Sequence, residues 1–220
     1  SFGLFENVLV IEQFTRKDSG IGISLSLADI ASCIILKHGN ESQKKKFLVP
    51  VTQGKAICSV AIIDSFHEEN QKPMLTKVEP YSNGYLIHRG KAWVTHGSVT
   101  SIIVVLCETH NSEEPIALIV ERDWEGVNIL GLKKLMGVRL SSIHEIAFDN
   151  VKVPKDHAIQ WERSGANPLM TYRHVHRIKT SAQALGIAQG AFDKAMKHAK
   201  EREQFGKKII QFQGIQFMLA

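Results

Sequence analysis

The spacing of apolar residues changes its period twice along this chain, and that constrains the fold more than any single motif. In residues 1–56 the pattern is helical: Ile21, Ile23, Leu25, Leu27, Ala28 and Ile30 onward give a mostly apolar segment suited to a buried helix, which Gly39 ends. Asn40, with Gln43 three residues on, has the form of a capping box, and Gly54 is a plausible stop. Residues 57–160 turn to strand signals. CSVAII, YLIHR, KAWVT, SIIVVLCE, IALIVE and IHEIAFDNVKV are short, rich in Val and Ile, and separated by turn residues. In SNGY, Asn83 and Gly84 suit the positive φ of a hairpin turn. From about residue 168 the helical period returns through Leu185, Ala188, Phe192, Ala195 and Ala199, and Gly206 breaks it. Strands at this spacing without intervening helices imply an antiparallel barrel or sandwich.

The net charge of +5 is diffuse apart from Lys44–Lys46 and the stretch from Arg173 to Lys179. It suits anionic small molecules, and no nucleic-acid motif accompanies it. The three cysteines, Cys33, Cys58 and Cys107, are scattered among apolar residues with no C-x-x-C, which argues for a reducing compartment. No apolar run is read as reaching membrane-spanning length. The chain begins on Ser1 and stops inside the apolar pattern FQGIQFMLA, so it reads as a piece of a longer protein.

Three stretches carry a family resemblance: KAWVTHG at 91–97, KKLMGVRLSSIHEIAFDNVKVP at 133–154, and AQALGIAQGAFDKAMKHAKEREQFGKKIIQFQGIQF at 182–217. In this order and spacing the chain resembles the acyl-CoA dehydrogenase family, and GNESQKKKFLVPVTQGK resembles that family's helix before its sheet domain. The resemblance implies an α+β multidomain fold. Residues 1–56 would end an N-terminal helical domain, 57–160 form a middle antiparallel β-barrel, and 161–220 open a C-terminal helical bundle. It implies FAD, α,β-dehydrogenation of an acyl-CoA thioester, electron delivery to an electron-transfer flavoprotein, and a homotetramer. A cytoplasmic location, or the mitochondrial matrix in a eukaryote, goes with it. No membrane, nucleic-acid or metal site is expected.

Residue by residue, Trp93 and Thr95 match the strand that lies along the flavin, with His96 where the family usually has Asn. Apart from the resemblance, they also read as an ordinary strand pair. Arg202, Phe205 and Gln213 match R-x-x-F-G and F-Q, which in the family reach a neighbour's FAD; a planar guanidinium suits a phosphate. The alternative is a helix-end cation beside a capping glycine. Arg177 matches an Arg near the acyl-thioester pocket, and a solvated basic turn is its alternative reading. Met136, Gly137 and Arg139 read as a structural turn, with Gly137 permitting it and Arg139 tying strand to helix.

Two positions depart from the pattern. Ile63 replaces a flavin-contacting Thr, and Glu68-Glu69 replace the Gly-Ser that meets the FAD diphosphate. One carboxylate about 4 Å from one phosphate charge costs roughly 4 kcal/mol at a near-surface dielectric. The family's usual catalytic Glu is expected beyond Ala220. Position 176, which carries the acid in a minority of members, is His, so no catalytic base is named within the chain. Besides the acyl-CoA dehydrogenase, two alternatives stand. One is a non-catalytic subunit paired with an active paralogue. The other is a dehydrogenase of an acyl group tethered to a carrier protein.

Overall fold

The computed structural model describes residues 3–62, 64–65, 74–75, 77–109, 115–159 and 168–220. Ile63, Glu68 and Glu69 lie outside them. The helical start comprises α1 (Leu4–Lys17), α2 (Ser19–Leu27), α3 (Ile30–His38), α4 (Glu41–Gln43), a π-helical turn (Lys44–Leu48) and α5 (Val49–Thr52). The strands are β1 (Cys58–Ile62), β2 (Asp64–Ser65), β3 (Met74–Leu75), β4 (Lys77–Tyr81), β5 (Gly84–Thr95), β6 (Ile102–Thr109), β7 (Pro115–Glu121), β8 (Val127–Leu132), β9 (Ile143–Pro154) and β10 (Ala158–Ile159). Then come α6 (Pro168–Glu201), β11 (Glu203–Gln204), β12 (Lys207–Lys208) and α7 (Gln213–Leu219). The order of helices, strands and helices, and the α+β class, are as expected. Contacts group Ser24–His176 as one unit and Ser1–Ile23 with Arg177–Ala220 as another.

In the first unit, β6 is buried on both faces. Ile102, Val104 and Leu106 pack with Ala31, Ile34 and Ile35 of α3 and with Phe47. The alternate residues Ile103, Val105 and Cys107 enter a second core shared with Ile87, Val94, Ile146 and Phe148 from β5 and β9. The period of two decides which residue goes where. The sheet corrects the expected antiparallel barrel. Its strands run in the order β10-β7-β6-β4-β5-β9-β8, and both β1 and β4 pair with β6 in parallel. It is therefore mixed, and among the described residues β8 and β10 do not pair to close it. A parallel pair needs a crossover connection. Among the described residues, strands β2–β5 lie between β1 and β6 in the chain.

Several local readings are refined. The capping box forms: Asn40 Oδ1 accepts from the Gln43 amide at 2.8 Å, and the Asn40 amide donates to Gln43 Oε1 at 3.0 Å. The π-helical turn lies just ahead of Pro50, which has no N–H to give the carbonyl four residues back. YLIHR and KAWVT are one 12-residue strand, β5. Its hairpin takes the left-handed conformation at Ser82 (φ 48°), not at Asn83 or Gly84. Gly84 is needed for another reason: a Cβ there would overlap the Val153 carbonyl. Contrary to the sequence reading, the 20-residue stretch Ser19–His38 is long and apolar enough to cross a membrane, with mean hydropathy 1.8 over its most apolar 18 residues. A turn at Ala28–Asp29 interrupts it, and α3 buries Ile30, Ala31, Ile34 and Ile35.

His157 pins the π-helical turn to the sheet. Its ring is 3% exposed and lies beside Phe47 and Trp124. Nδ1 donates to the Ile119 carbonyl at 2.9 Å, so Nε2 is left to accept from the Lys46 ammonium at 2.8 Å. Lys46 also pairs with Glu121 at 3.3 Å.

In the second unit, α1 lies directly on α6. A Cβ at Gly186 would overlap Thr15 and the Glu12 carbonyl, and one at Gly190 the Arg16 carbonyl. Beside this crossing Arg16 Nε donates to Asp193 Oδ2 at 2.6 Å, and Gln189 donates to the other carboxylate oxygen at 3.0 Å. The glycine face of α6 is thus the buried one, while Leu185 and Phe192 from the expected apolar stripe remain exposed.

Gly186→Ala should lower stability by about 1–3 kcal/mol through overpacking against backbone. Gly137→Ala, with nothing within 4 Å of the new methyl, should leave it unchanged. Urea unfolding midpoints check both. Burial pushes the Cys58 thiol up to about 12 and the Cys107 thiol higher still, whereas Cys33 is exposed. A thiol reagent at pH 8 should therefore titrate Cys33 alone in the native chain and all three cysteines in denaturant. Rapid native labelling of Cys58 or Cys107 would contradict this packing.

Candidate active site

Along β5, Ala92 and Val94 point into the sheet core and are buried. Alternation then puts Trp93 and Thr95 together on the opposite face. There they border a cavity of about 140 Å³. Leu27, Ile30, Val60 and Ile62 give it apolar walls, and Ser59, Tyr172 and His176 complete its lining. The Ser59 hydroxyl donates to the Thr95 carbonyl at 2.8 Å, fixing the end of β5 to β1. Tyr172 and His176, one turn apart on α6, hold their rings 5.4 Å apart with a tilt of 30°. Burial pushes the Tyr172 hydroxyl above its ordinary range. Trp93 stays 47% exposed, with the Lys133 ammonium 4.8 Å from its ring centre.

The strand ends in a tight left-handed residue, His96 (φ 61°). Its amide donates to the Ser142 carbonyl at 2.7 Å and its Nε2 to the Ser24 carbonyl at 2.9 Å. Asn and His are among the residues that tolerate this conformation, so the exchange of Asn for His keeps the backbone. The M-G-x-R turn departs from its expectation. Val138, not Gly137, takes the positive φ (53°), and Arg139 is exposed and, among the described residues, ties no strand to a helix. A β-branched residue in that region is strained.

The remaining candidates stand elsewhere. Arg177 follows His176 on α6 and is exposed. Arg202, Phe205 and Gln213 all belong to the second unit and are exposed. REQFGKK is a hairpin in which Glu203 and Gln204 pair with Lys208 and Lys207. Phe205 (φ 51°) and Gly206 (φ 75°) make its two-residue turn. Positive φ at both central residues is the type I′ arrangement, which favours Asn-Gly. Phe at the first position costs local strain and leaves the ring 92% exposed, with Phe212 as its edge-to-face neighbour at 6.3 Å. The Lys208 ammonium, 2.8 Å from Glu203, holds that carboxyl below its ordinary range.

The structure thus brings Trp93 and Thr95 together and adds Ser59, Tyr172 and Lys133, which the sequence reading did not select. For Tyr172 a signal existed, since it lies four residues before His176, on the same helical face.

The cavity at the end of β5, in an α+β chain of this element order, is lined by apolar residues with a few polar groups, the kind of lining that small-molecule sites have. The model of the acyl-CoA dehydrogenase N-terminal domain matches residues 1–55, and that of the C-terminal domain matches residues 163–220. The short-chain specific acyl-CoA dehydrogenase of Clostridium acetobutylicum is 30% identical over 217 residues, covering 97% of this chain and 57% of the relative. The butyryl-CoA dehydrogenase structure from Megasphaera elsdenii superposes with a TM-score of 0.86 at 30% identity, over 96% of this chain and 57% of that one. A structure described as the electron transferring flavoprotein of Acidaminococcus fermentans gives a TM-score of 0.87 at 31% identity, over 96% and 57% of the two chains. The chain belongs to the acyl-CoA dehydrogenase family. It spans a little over half the length of these relatives.

Phe205→Asn should keep the hairpin and leave stability unchanged or raised by up to about 1 kcal/mol, because the turn strain falls and little packing is lost. Gly206→Val should lower it. Thermal unfolding of the two variants tests this, and a clear loss of stability in Phe205→Asn would contradict the geometry.

Proposed function

We propose that the protein is an FAD-dependent acyl-CoA dehydrogenase that removes hydrogens from the α and β carbons of an acyl thioester. The observation that carries this reading is the cavity where Trp93 and Thr95 face Tyr172 and His176. Its residues fit a flat heterocycle on one side and an alkyl chain on the other. Trp93 offers an open aromatic face, although its strand neighbours are fully packed. Leu27, Ile30, Val60 and Ile62 exclude water from the acyl group. FAD, when bound, would supply the acceptor for the hydride lost from the β carbon.

Other residues of the chain have defined tasks in this reading. Thr95 and Trp93 hold the ring system. Arg177, exposed on α6, meets the thioester or its CoA phosphates. The hairpin of Arg202 and Phe205, with Gln213 after it, reaches the cofactor of a neighbouring subunit. Its strained, open Phe205 supports a task outside its own unit. The likeness to a chain from an electron transferring flavoprotein structure supports such a flavoprotein as the electron acceptor.

Glu68-Glu69 favour a second reading, in which the subunit binds no FAD of its own and completes the site of an active paralogue. The visible spectrum of the purified full protein separates the two. The first reading predicts flavin bands that bleach when butyryl-CoA is added. A colourless protein that stays colourless after incubation with FAD would overturn it and favour the second.

A further inference from the structure

The buried ring of His157 has both nitrogens committed. Nδ1 donates to the Ile119 carbonyl on β7, and Nε2 offers its lone pair to the Lys46 ammonium. Only the neutral ring can do both. A second proton would sit on Nε2 and point at an ammonium 2.8 Å away, setting two positive charges against each other. The charged groups around the ring are few. The π-helical turn brings Lys46, while its Lys44 is paired with Glu41 and its Lys45 is exposed. Strand β7 brings Glu121, 3.3 Å from Lys46. Strand β5, whose start pairs with the end of β9, brings the phenol of Tyr85. Lys155 and Asp156, beside His157 in the chain, make no ion pair among the described residues. Phe47 and Trp124 supply only rings.

We propose that His157 and Lys46 form a pH-sensitive latch, in which a proton taken up by the ring expels the Lys46 ammonium and frees the π-helical turn from the sheet. Lys46 is half exposed, so it can leave the ring for water or for Glu121. Histidine is the side chain that ordinarily exchanges a proton between about pH 5 and 8. The latch is closed while the ring is neutral and opens as pH falls and the ring charges. Its place gives the opening a consequence. Phe47, next to Lys46, belongs to the core against which Val60, Ile62 and Tyr172 pack, and these three line the cavity beside β5. The latch thus stands behind one wall of the candidate site, and it needs no bound cofactor or acyl group to work.

Hydrogen–deuterium exchange of the full protein tests this, read by mass spectrometry on peptides covering residues 44–52 at about pH 5.5 and about pH 7.5. Rates are corrected for the intrinsic pH dependence of amide exchange. Wild type should exchange about tenfold or more faster at the lower pH, the scale of one lost charge-assisted hydrogen bond, while β6 stays protected. His157→Gln keeps an N–H for the Ile119 carbonyl and an oxygen for Lys46 but does not titrate. Its protection should match wild type at the higher pH and persist at the lower. Equal wild-type protection at both pH values would overturn the proposal. So would acceleration shared by β6, which would mark general acid unfolding. So would opening of wild-type size in His157→Gln, which would assign the effect to another group. Should His157→Gln be open at both pH values, Lys46→Met decides. With no ammonium to expel it should not open further on acidification, and wild-type pH dependence there would overturn the proposal.

Discussion

Burial of β6 on both faces is the constraint from which the rest of the larger unit follows. A strand that reads IIVVLC has no polar face to give to water, so both sides must be covered. One side takes α3 and Phe47, and the other takes the inward faces of β5 and β9. Covering both sides fixes the side-chain alternation of β5, because Ala92 and Val94 are committed to the core. Trp93 and Thr95 are then the residues left facing outward. The parallel partner β1 brings Ser59 to the Thr95 carbonyl and so ties the strand end in place. The candidate site is thus a consequence of how the core is filled, and its geometry inherits the rigidity of that core.

The second unit depends on a different contact, the approach of α1 to the glycines of α6. Removing side chains at Gly186 and Gly190 lets two backbones meet, and Arg16 with Asp193 adds a directional bond beside them. That pair is partly open to water, so its main effect is orientation, with a modest stabilisation. The hydrogen bond from Arg16 holds the Asp193 carboxyl below its ordinary range. Its contribution is therefore present above the ordinary carboxylate pKa and fades as pH falls through the lowered one.

Features set by neighbours in sequence were legible: the capping box at Asn40 and Gln43, the stop at Gly54, and the return of helical period near residue 168. Features set by distant partners were not. The parallel pairing of β1 with β6 leaves no local mark, because it joins residues more than 40 positions apart. Gly84 and Gly186 look like a turn residue and a weak helix residue until the backbone each accommodates is known. Strand β8 was missed because Leu130 and Leu132 face outward and Gly131 interrupts its pattern. In the candidate site, Trp93 and Thr95 were legible through their motif. His176 was marked by its position and Tyr172 only by its spacing from it, and the cavity brings the two rings together. The exposure of Phe205 follows from its place in a hairpin turn, which the helical reading of that region did not include.

The central claim is that the open face of Trp93 receives the flavin ring. Tryptophan emission during titration of the apoprotein with FAD tests it most directly. Trp93 accounts for one of three tryptophans. The account predicts strong quenching in wild type, most of which disappears in Trp93→Phe while FAD still binds. Quenching of the same depth in Trp93→Phe would place the flavin elsewhere and contradict the account.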